Sequence, residues 1–146
     1  MVSISTEKIL ELTTTVQWKE AFLIMKQLRL DLVEETYLDL LSEMKIDGYR
    51  LFAFFSENTI VAVAGLSLRV NFYNKRHVFI YDLVTDASHR SLGYGERLLT
   101  YIHKWSKDNG AEYVALESGI QRTDAHRFYE EKFNYDKWCS SFRKKL

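Results

Sequence analysis

Apolar positions along this 146-residue chain change their spacing several times, and each change marks an element. The opening stretch, Val2 to Leu12, is ambiguous and reads as a short strand. From Val16 to Leu28, the residues Val16, Phe22, Leu23, Met25 and Leu28 suit one side of a helix. A second helical pattern, Leu32 to Ile46, carries Leu32, Val33, Tyr37, Leu40, Leu41 and Met44 and stops at Asp47-Gly48. Tyr49 to Ser56 and Thr59 to Val70 are then rich in aromatic and β-branched residues, with Glu57-Asn58 between them as a tight hairpin turn. In the second of these runs Ile60, Ala62, Ala64, Leu66 and Leu68 alternate with Val61, Val63, Gly65 and Ser67. Both faces are covered, as a central strand requires. Asn71 to Arg76 reads as a polar loop and His77 to Thr85 as another strand. Beyond a glycine-bearing junction, Tyr94, Leu98, Tyr101, Ile102 and Trp105 recur every three or four residues, predicting a helix that ends at Asn109-Gly110. Tyr113 to Leu116 is a short buried strand running into Glu117-Ser118-Gly119. A last helix near Asp124 to Lys132 puts Ala125, Phe128, Tyr129 and Phe133 on one stripe, and Tyr135 to Leu146 is expected as a closing strand.

This order predicts an α/β chain with a mixed sheet. The earlier strands are antiparallel neighbours, and His77 to Ser118 forms a right-handed parallel strand-helix-strand crossover. No repeat, low-complexity tract or linker interrupts it, and the absence of proline offers no boundary, so residues 1–146 are expected to form one domain.

Composition narrows the function by exclusion. Twenty basic residues cancel twenty acidic ones, which gives no electrostatic case for nucleic acid as the main partner. The closing Arg143-Lys144-Lys145 reads as a solvated tail. No run is long enough for a membrane span and the amino terminus lacks a signal-like apolar core, so a cytoplasmic address is expected. Cys139 is the single cysteine, and the histidines at 77, 89, 103 and 126 show no paired ligand spacing; no metal site is expected.

The chemistry concentrates where the strand His77 to Thr85 gives way to the next helix. The segment His89-Arg90-Ser91-Leu92-Gly93-Tyr94-Gly95-Glu96 places two glycines one residue apart at a helix start, where bare main chain and unpaired N–H groups can receive an anion. Arg90 adds a cation, and a phosphate is the natural guest. The segment has neither the Gly-Lys-Ser/Thr ending of a nucleotide triphosphatase loop nor the three-glycine dinucleotide fingerprint.

With Arg90, Gly93 and Gly95 in their places, this unit resembles the pyrophosphate-binding loop of the GNAT superfamily of acyl-CoA-dependent N-acyltransferases, which reads Arg/Gln-x-x-Gly-x-Gly/Ala. The preceding strand, Val78 to Thr85, and Ala125-His126-Arg127-Phe128-Tyr129 fit the same family in the same order. The resemblance implies a GNAT-like mixed central sheet with helices on both faces. Two parallel strands, His77 to Thr85 and Glu112 to Ser118, splay apart at the cofactor site. Acetyl-CoA would be the co-substrate, its pantetheine arm on the main chain of Leu83, Val84 and Thr85. Its diphosphate would lie on Arg90, Ser91, Leu92, Gly93, Tyr94, Gly95 and Glu96, with Arg122 and Phe128 as further cofactor contacts. Glu34, Glu35, Tyr37 and Tyr49 are then places to seek contacts with the acceptor, and a homodimer is an assembly common in the family.

Acyl transfer to an amine needs two proton adjustments. An ammonium of pKa ~10.4 is not a nucleophile, and a departing thiolate is stabilised by protonation near pKa ~8.5. Tyr129 stands where the family places the tyrosine that protonates the thiolate. Asp82, a carboxylate inside an apolar strand, and Glu117, at the end of the neighbouring strand, are both candidates for the base. Two departures from the family stand out: Arg122 replaces an asparagine, and Phe133-Asn134 replaces a Gly-Phe pair. The leading expectation is an N-acetyltransferase that moves an acetyl group directly to a primary amine of a small molecule or a protein. A non-catalytic acyl-CoA-binding regulatory module of the same fold is the alternative, and a plain interaction domain is a third.

Overall fold

A computed structural model describes residues 6–119 and 121–146. The chain divides into two compact units, Met1–Ala115 and Leu116–Leu146.

The first unit is organised on a five-stranded sheet in the order β1-β2-β3-β4-β5. Strand β1, Glu7–Leu12, lies antiparallel to β2, Arg50–Ser56. Residues 2 to 5 of the expected opening strand lie outside the described residues. Strand β2 turns back into β3, Thr59–Asn71, through Glu57 and Asn58, whose φ values of 50° and 63° make the tight turn that matches strand twist. From Ile60 to Ser67 every residue of β3 is buried, as expected of a central strand.

Strand β4, Lys75–Thr85, starts two residues earlier than the apolar pattern alone indicated, and β3 runs on to Asn71. The polar loop expected at Asn71 to Arg76 thus shrinks to a hairpin tip, because Val70 still pairs with Arg76 and Asn71 with Lys75. Side chains at an exposed tip need not be apolar for the main chain to pair. Strand β5, Tyr113–Leu116, lies beside β4 and runs parallel to it, joined through α3, Tyr94–Asp108.

Helices cover both faces of this sheet. Helix α1, Thr15–Leu28, begins with a reciprocal cap: Gln17 N–H donates to Thr14 Oγ1 at 3.2 Å, and Gln17 Oε1 accepts from Thr14 N at 3.1 Å. It buries Ala21, Phe22, Ile24 and Met25 in a core shared with Leu51, Ala53 and Val63 of the sheet. Helix α2, Glu34–Ile46, adds Tyr37 and Leu41, and the Tyr37 hydroxyl donates to Trp18 O at 2.8 Å. Strand residues alternate faces, so Phe52 and Phe54 point the other way. They meet Tyr101 and Trp105 at 5.9 and 5.5 Å, and Tyr94 at 5.0 Å, all on α3.

In the second unit α4 spans Thr123–Arg127 and continues as a π-helical turn, Phe128–Lys132. The wider turn brings together residues five apart, and the rings of Phe128 and Phe133 lie 5.2 Å from each other. Tyr135 to Leu146, expected as a closing strand, has no regular secondary structure. Its apolar residues do not alternate, Trp138 and Phe142 are exposed, and Arg143-Lys144-Lys145 leaves it without a face to bury.

Candidate active site

Asp82 owes its position to a bulge. Gly65 of β3 pairs with Asp82 and Leu66 pairs with Ile80, so Tyr81 is an extra residue in β4. The partly buried carboxylate that the apolar strand made conspicuous has a partner that the sequence did not reveal. Arg29, just past the end of α1, reaches Asp82 Oδ1 with Nε at 2.8 Å and with a terminal nitrogen at 2.7 Å, and also donates to Tyr81 O at 3.1 Å. Oδ2 has no hydrogen-bond partner among the described residues. Burial pushes the Asp82 carboxyl above its ordinary value, against the lowering effect of Arg29.

A tyrosine is packed beside this pair. Tyr49, 3% exposed, lies directly over Gly65 and meets Tyr81 edge-on at 5.1 Å. Burial, and then the nearby Asp82 charge, hold its hydroxyl well above the ordinary range, so it stays protonated. Tyr37 is shifted the same way for the same two reasons. Glu34 and Glu35 occupy the exposed first turn of α2.

Leu83, Val84 and Thr85 follow the bulge and pair with Ala64, Val63 and Ala62. The chain then passes through a short turn, Ala87–His89, into the loop singled out from sequence. A small network braces that turn. Gln27 of α1 donates to Asp86 Oδ1 at 2.8 Å and accepts from Ala87 N at 2.8 Å, while His89 Nδ1 lies 2.7 Å from Asp86 Oδ2 and Ser88 Oγ donates to the same oxygen. Hydrogen bonds from Gln27, Ser88 and His89 hold the Asp86 carboxyl well below the usual carboxylate range.

The loop has the main-chain geometry an anion site needs. Ser91 and Gly93 adopt positive φ, 65° and 84°, and Gly93 is the N-cap of α3. No side chain caps this helix; its first main-chain hydrogen bond is Arg97 N to Gly93 O at 3.0 Å, so the N–H groups of Tyr94 and Gly95 remain available. A Cβ on Gly95 would stand 2.9 Å from Thr85 Oγ1, so the end of β4 and the start of α3 nearly touch. The Tyr94 side chain turns away, donating to Ser56 Oγ at 3.3 Å. Arg90 and Leu92 are exposed, and Arg90 has no ion-pair partner among the described residues. Uncapped donors beside a free cation fit a diphosphate.

Within the second unit Glu117 is exposed, and the adjacent Ser118 has a buried Oγ without a hydrogen-bond partner. Arg122 is exposed and precedes α4. Phe128 and Tyr129 occupy the π-helical turn, their rings 5.4 Å apart, and Tyr135 lies 5.6 Å from Tyr129. Burial raises the Tyr129 hydroxyl above its ordinary value, with Arg122 opposing, so it remains a proton donor through the neutral range. No group of His, Cys, Asp and Glu suited to hold a metal occurs among the described residues, and no helix among them is long and apolar enough to cross a membrane.

The model of the acetyltransferase (GNAT) family matches residues 13–135. An uncharacterized N-acetyltransferase of Bacillus subtilis (strain 168), YhdJ, is 42% identical over 135 residues, covering 92% of this chain and 95% of that protein. Among solved structures, aminoglycoside N-acetyltransferase AAC(6')-Iy in complex with CoA superposes with a TM-score of 0.85 at 17% identity, covering 99% of this chain and 98% of its own. A GNAT family acetyltransferase of Staphylococcus aureus gives a TM-score of 0.76 at 23% identity, covering 96% and 98%. The strand order, the bulged β4 and the uncapped loop thus meet the family match over most of the sequence, and the chain belongs to the GNAT acetyltransferase family.

Proposed function

We propose that this protein transfers an acetyl group from acetyl-CoA directly to a primary amine. The observation that carries the reading is the near-contact of Thr85 and Gly95, which sets a strand end against the uncapped start of α3. A pantetheine arm following Leu83 to Thr85 would then deliver its diphosphate to Arg90, Gly93, Gly95 and the neighbouring N–H groups. The buried, unpartnered Ser118 Oγ supports a hydrogen-bonding ligand near the end of β5. The name of the B. subtilis relative supports N-acetyl transfer, and the CoA bound to AAC(6')-Iy supports the cofactor.

In the reaction the ammonium loses a proton to give the free amine, which forms a bond to the thioester carbonyl carbon; the C–S bond then breaks, the sulfur gains a proton, and the nitrogen's remaining extra proton passes to water. Asp82 is the stronger candidate to accept the first proton. Its carboxylate is more basic than a solvated one and keeps one oxygen free, whereas Glu117 is exposed. Tyr129 supplies the second proton. Acetylation at neutral pH needs the carboxylate ionised, so the rate is expected to rise with pH through a limb displaced upward from the ordinary carboxyl value of 3.8. Asp82→Asn removes that limb and lowers kcat by about 10²-fold, whereas Glu117→Gln leaves both in place. The reverse outcome in a pH-rate series assigns the base to Glu117.

Calorimetric titration with acetyl-CoA, followed by free-thiol release with a panel of amines, tests the function itself. Saturable binding with turnover supports it. Binding without turnover on any amine supports the regulatory module, and no binding by folded protein overturns both. Gly93→Val forces a β-branched residue into a left-handed conformation and adds a side chain to a loop whose bare main chain would meet the anion. It is expected to weaken acetyl-CoA by at least about 30-fold while the protein stays folded, given the cost of φ > 0 for such a residue and the loss of close main-chain approach.

A further inference from the structure

Upstream of the bulge, the sheet carries a cation that nothing in the mechanism uses. Gly65, Ser67 and Arg69 alternate on one face of β3, the face on which Tyr49 covers Gly65. Arg69 lies over the rings of Phe79 and Tyr81, its guanidinium carbon 4.3 and 4.9 Å from their centroids, and donates to the Tyr81 hydroxyl at 2.8 Å. Ser67 Oγ lies 3.2 Å from the same hydroxyl. The side chain is exposed, and no carboxylate lies within ion-pair distance of it among the described residues. Its neighbour along this face, Arg29, is by contrast neutralised by Asp82.

A free arginine on a surface is commonplace, but a free arginine fixed on two rings and one hydroxyl is preorganised. Its charge is held in one place, and most of its five donors remain unused. If the pantetheine arm occupies Leu83 to Thr85, the amine must approach the thioester from the opposite end of β4. Asp82, Tyr81, Phe79 and Arg69 come in that order along its path. Arg69 stands four residues from Gly65, the partner of Asp82, a separation of about 13 Å along the main chain of β3.

Resting on the acetyltransferase reading, we propose that Arg69 binds a carboxylate of the acceptor, so that the substrate is an amine that also carries a carboxylate. The amine points to Asp82, the intervening chain packs on Tyr81 and Phe79, and the carboxylate takes the guanidinium fork. A single guanidinium suits a singly charged, planar carboxylate better than a phosphate dianion, which draws several donors. The same cation repels a polycationic acceptor, which separates this chain's substrate class from the aminoglycosides of its structural neighbour.

The test uses wild-type protein saturated with acetyl-CoA and reads CoA thiol release with glycine, 3-aminopropanoate, 4-aminobutanoate, 6-aminohexanoate, lysine and short peptides. Each is set against the amine lacking its carboxylate, and phosphoethanolamine is included. At least one carboxylate-bearing amine should exceed its decarboxylated counterpart in kcat/KM by about 10- to 100-fold. Arg69→Met should remove that preference through KM, with kcat and acetyl-CoA affinity little changed, and Arg69→Lys should restore part of it. Turnover confined to amines without a carboxylate, a preference for phosphoethanolamine, or silence of the whole carboxylate series overturns the proposal even where acetyl-CoA binds normally. Failure of acetyl-CoA to bind overturns the acetyltransferase reading first and this proposal with it.

Discussion

Tyr129→Phe is expected to lower kcat by about 10²-fold or more while leaving acetyl-CoA affinity within about twofold of wild type. The variant keeps the ring, which packs 5.4 Å from Phe128 and 5.6 Å from Tyr135, and deletes only the hydroxyl. Structural loss is therefore small, about 1 kcal/mol at most, and binding need not change. What disappears is the proposed donor to sulfur as the C–S bond breaks. Burial raises the hydroxyl above the ordinary 10.0, so it stays protonated well past neutrality. The sign is then definite: wild-type activity should not decline as the pH passes from 8 to 9. The variant should lose rate most steeply with acyl groups whose leaving thiol is least acidic. Single-turnover rates with acetyl-CoA and with a thioester of a more acidic thiol separate the cases. A full rate in Tyr129→Phe reassigns the general acid, whereas a fall in affinity without a fall in rate makes Tyr129 a cofactor contact.

How much of this could be read from the sequence differs by element. Helix α3 was legible because Tyr94, Leu98, Tyr101, Ile102 and Trp105 keep one period, and the structure places three of these against Phe52 or Phe54. Gly93 was legible because only a few residue types tolerate its φ of 84°. The bulge at Tyr81 was not, since an unpaired residue in one strand is a property of two strands and leaves no mark on the periodicity of either. The Arg29 partner of Asp82 lies 53 residues away, and a buried carboxylate announces that it needs a partner without naming one. Arg69 was hidden by the same logic, because its two rings belong to the next strand. Local chemistry was therefore readable where it depends on neighbours in sequence, and the partners of Asp82 and Arg69 were not, because those contacts join separate elements.

The second large effect concerns the glycine opposite Asp82. Gly65→Ala is expected to destabilise the protein by about 2–4 kcal/mol, lowering Tm by roughly 6–12 °C for a chain of this size. In most strands this substitution stabilises by about 0.5–1 kcal/mol, because it removes backbone freedom from the unfolded chain. Here the added carbon would stand 1.8 Å from the Tyr49 hydroxyl oxygen and 2.4 Å from Cζ, so the ring must leave its place. Tyr49 is 3% exposed and shares its core with Leu51, Tyr37 and Val63, which leaves no adjacent space to enter. A double-mutant cycle isolates the cause. Tyr49→Ala alone should cost about 3–5 kcal/mol, and on that background Gly65→Ala should cost nothing or stabilise slightly. Chemical denaturation of the four proteins decides it. If the two costs add, Gly65 matters for a reason other than the ring above it. If they do not, the glycine is there to admit Tyr49, and the ring in turn supports Tyr81 and the bulge that sets Asp82 beside Arg29.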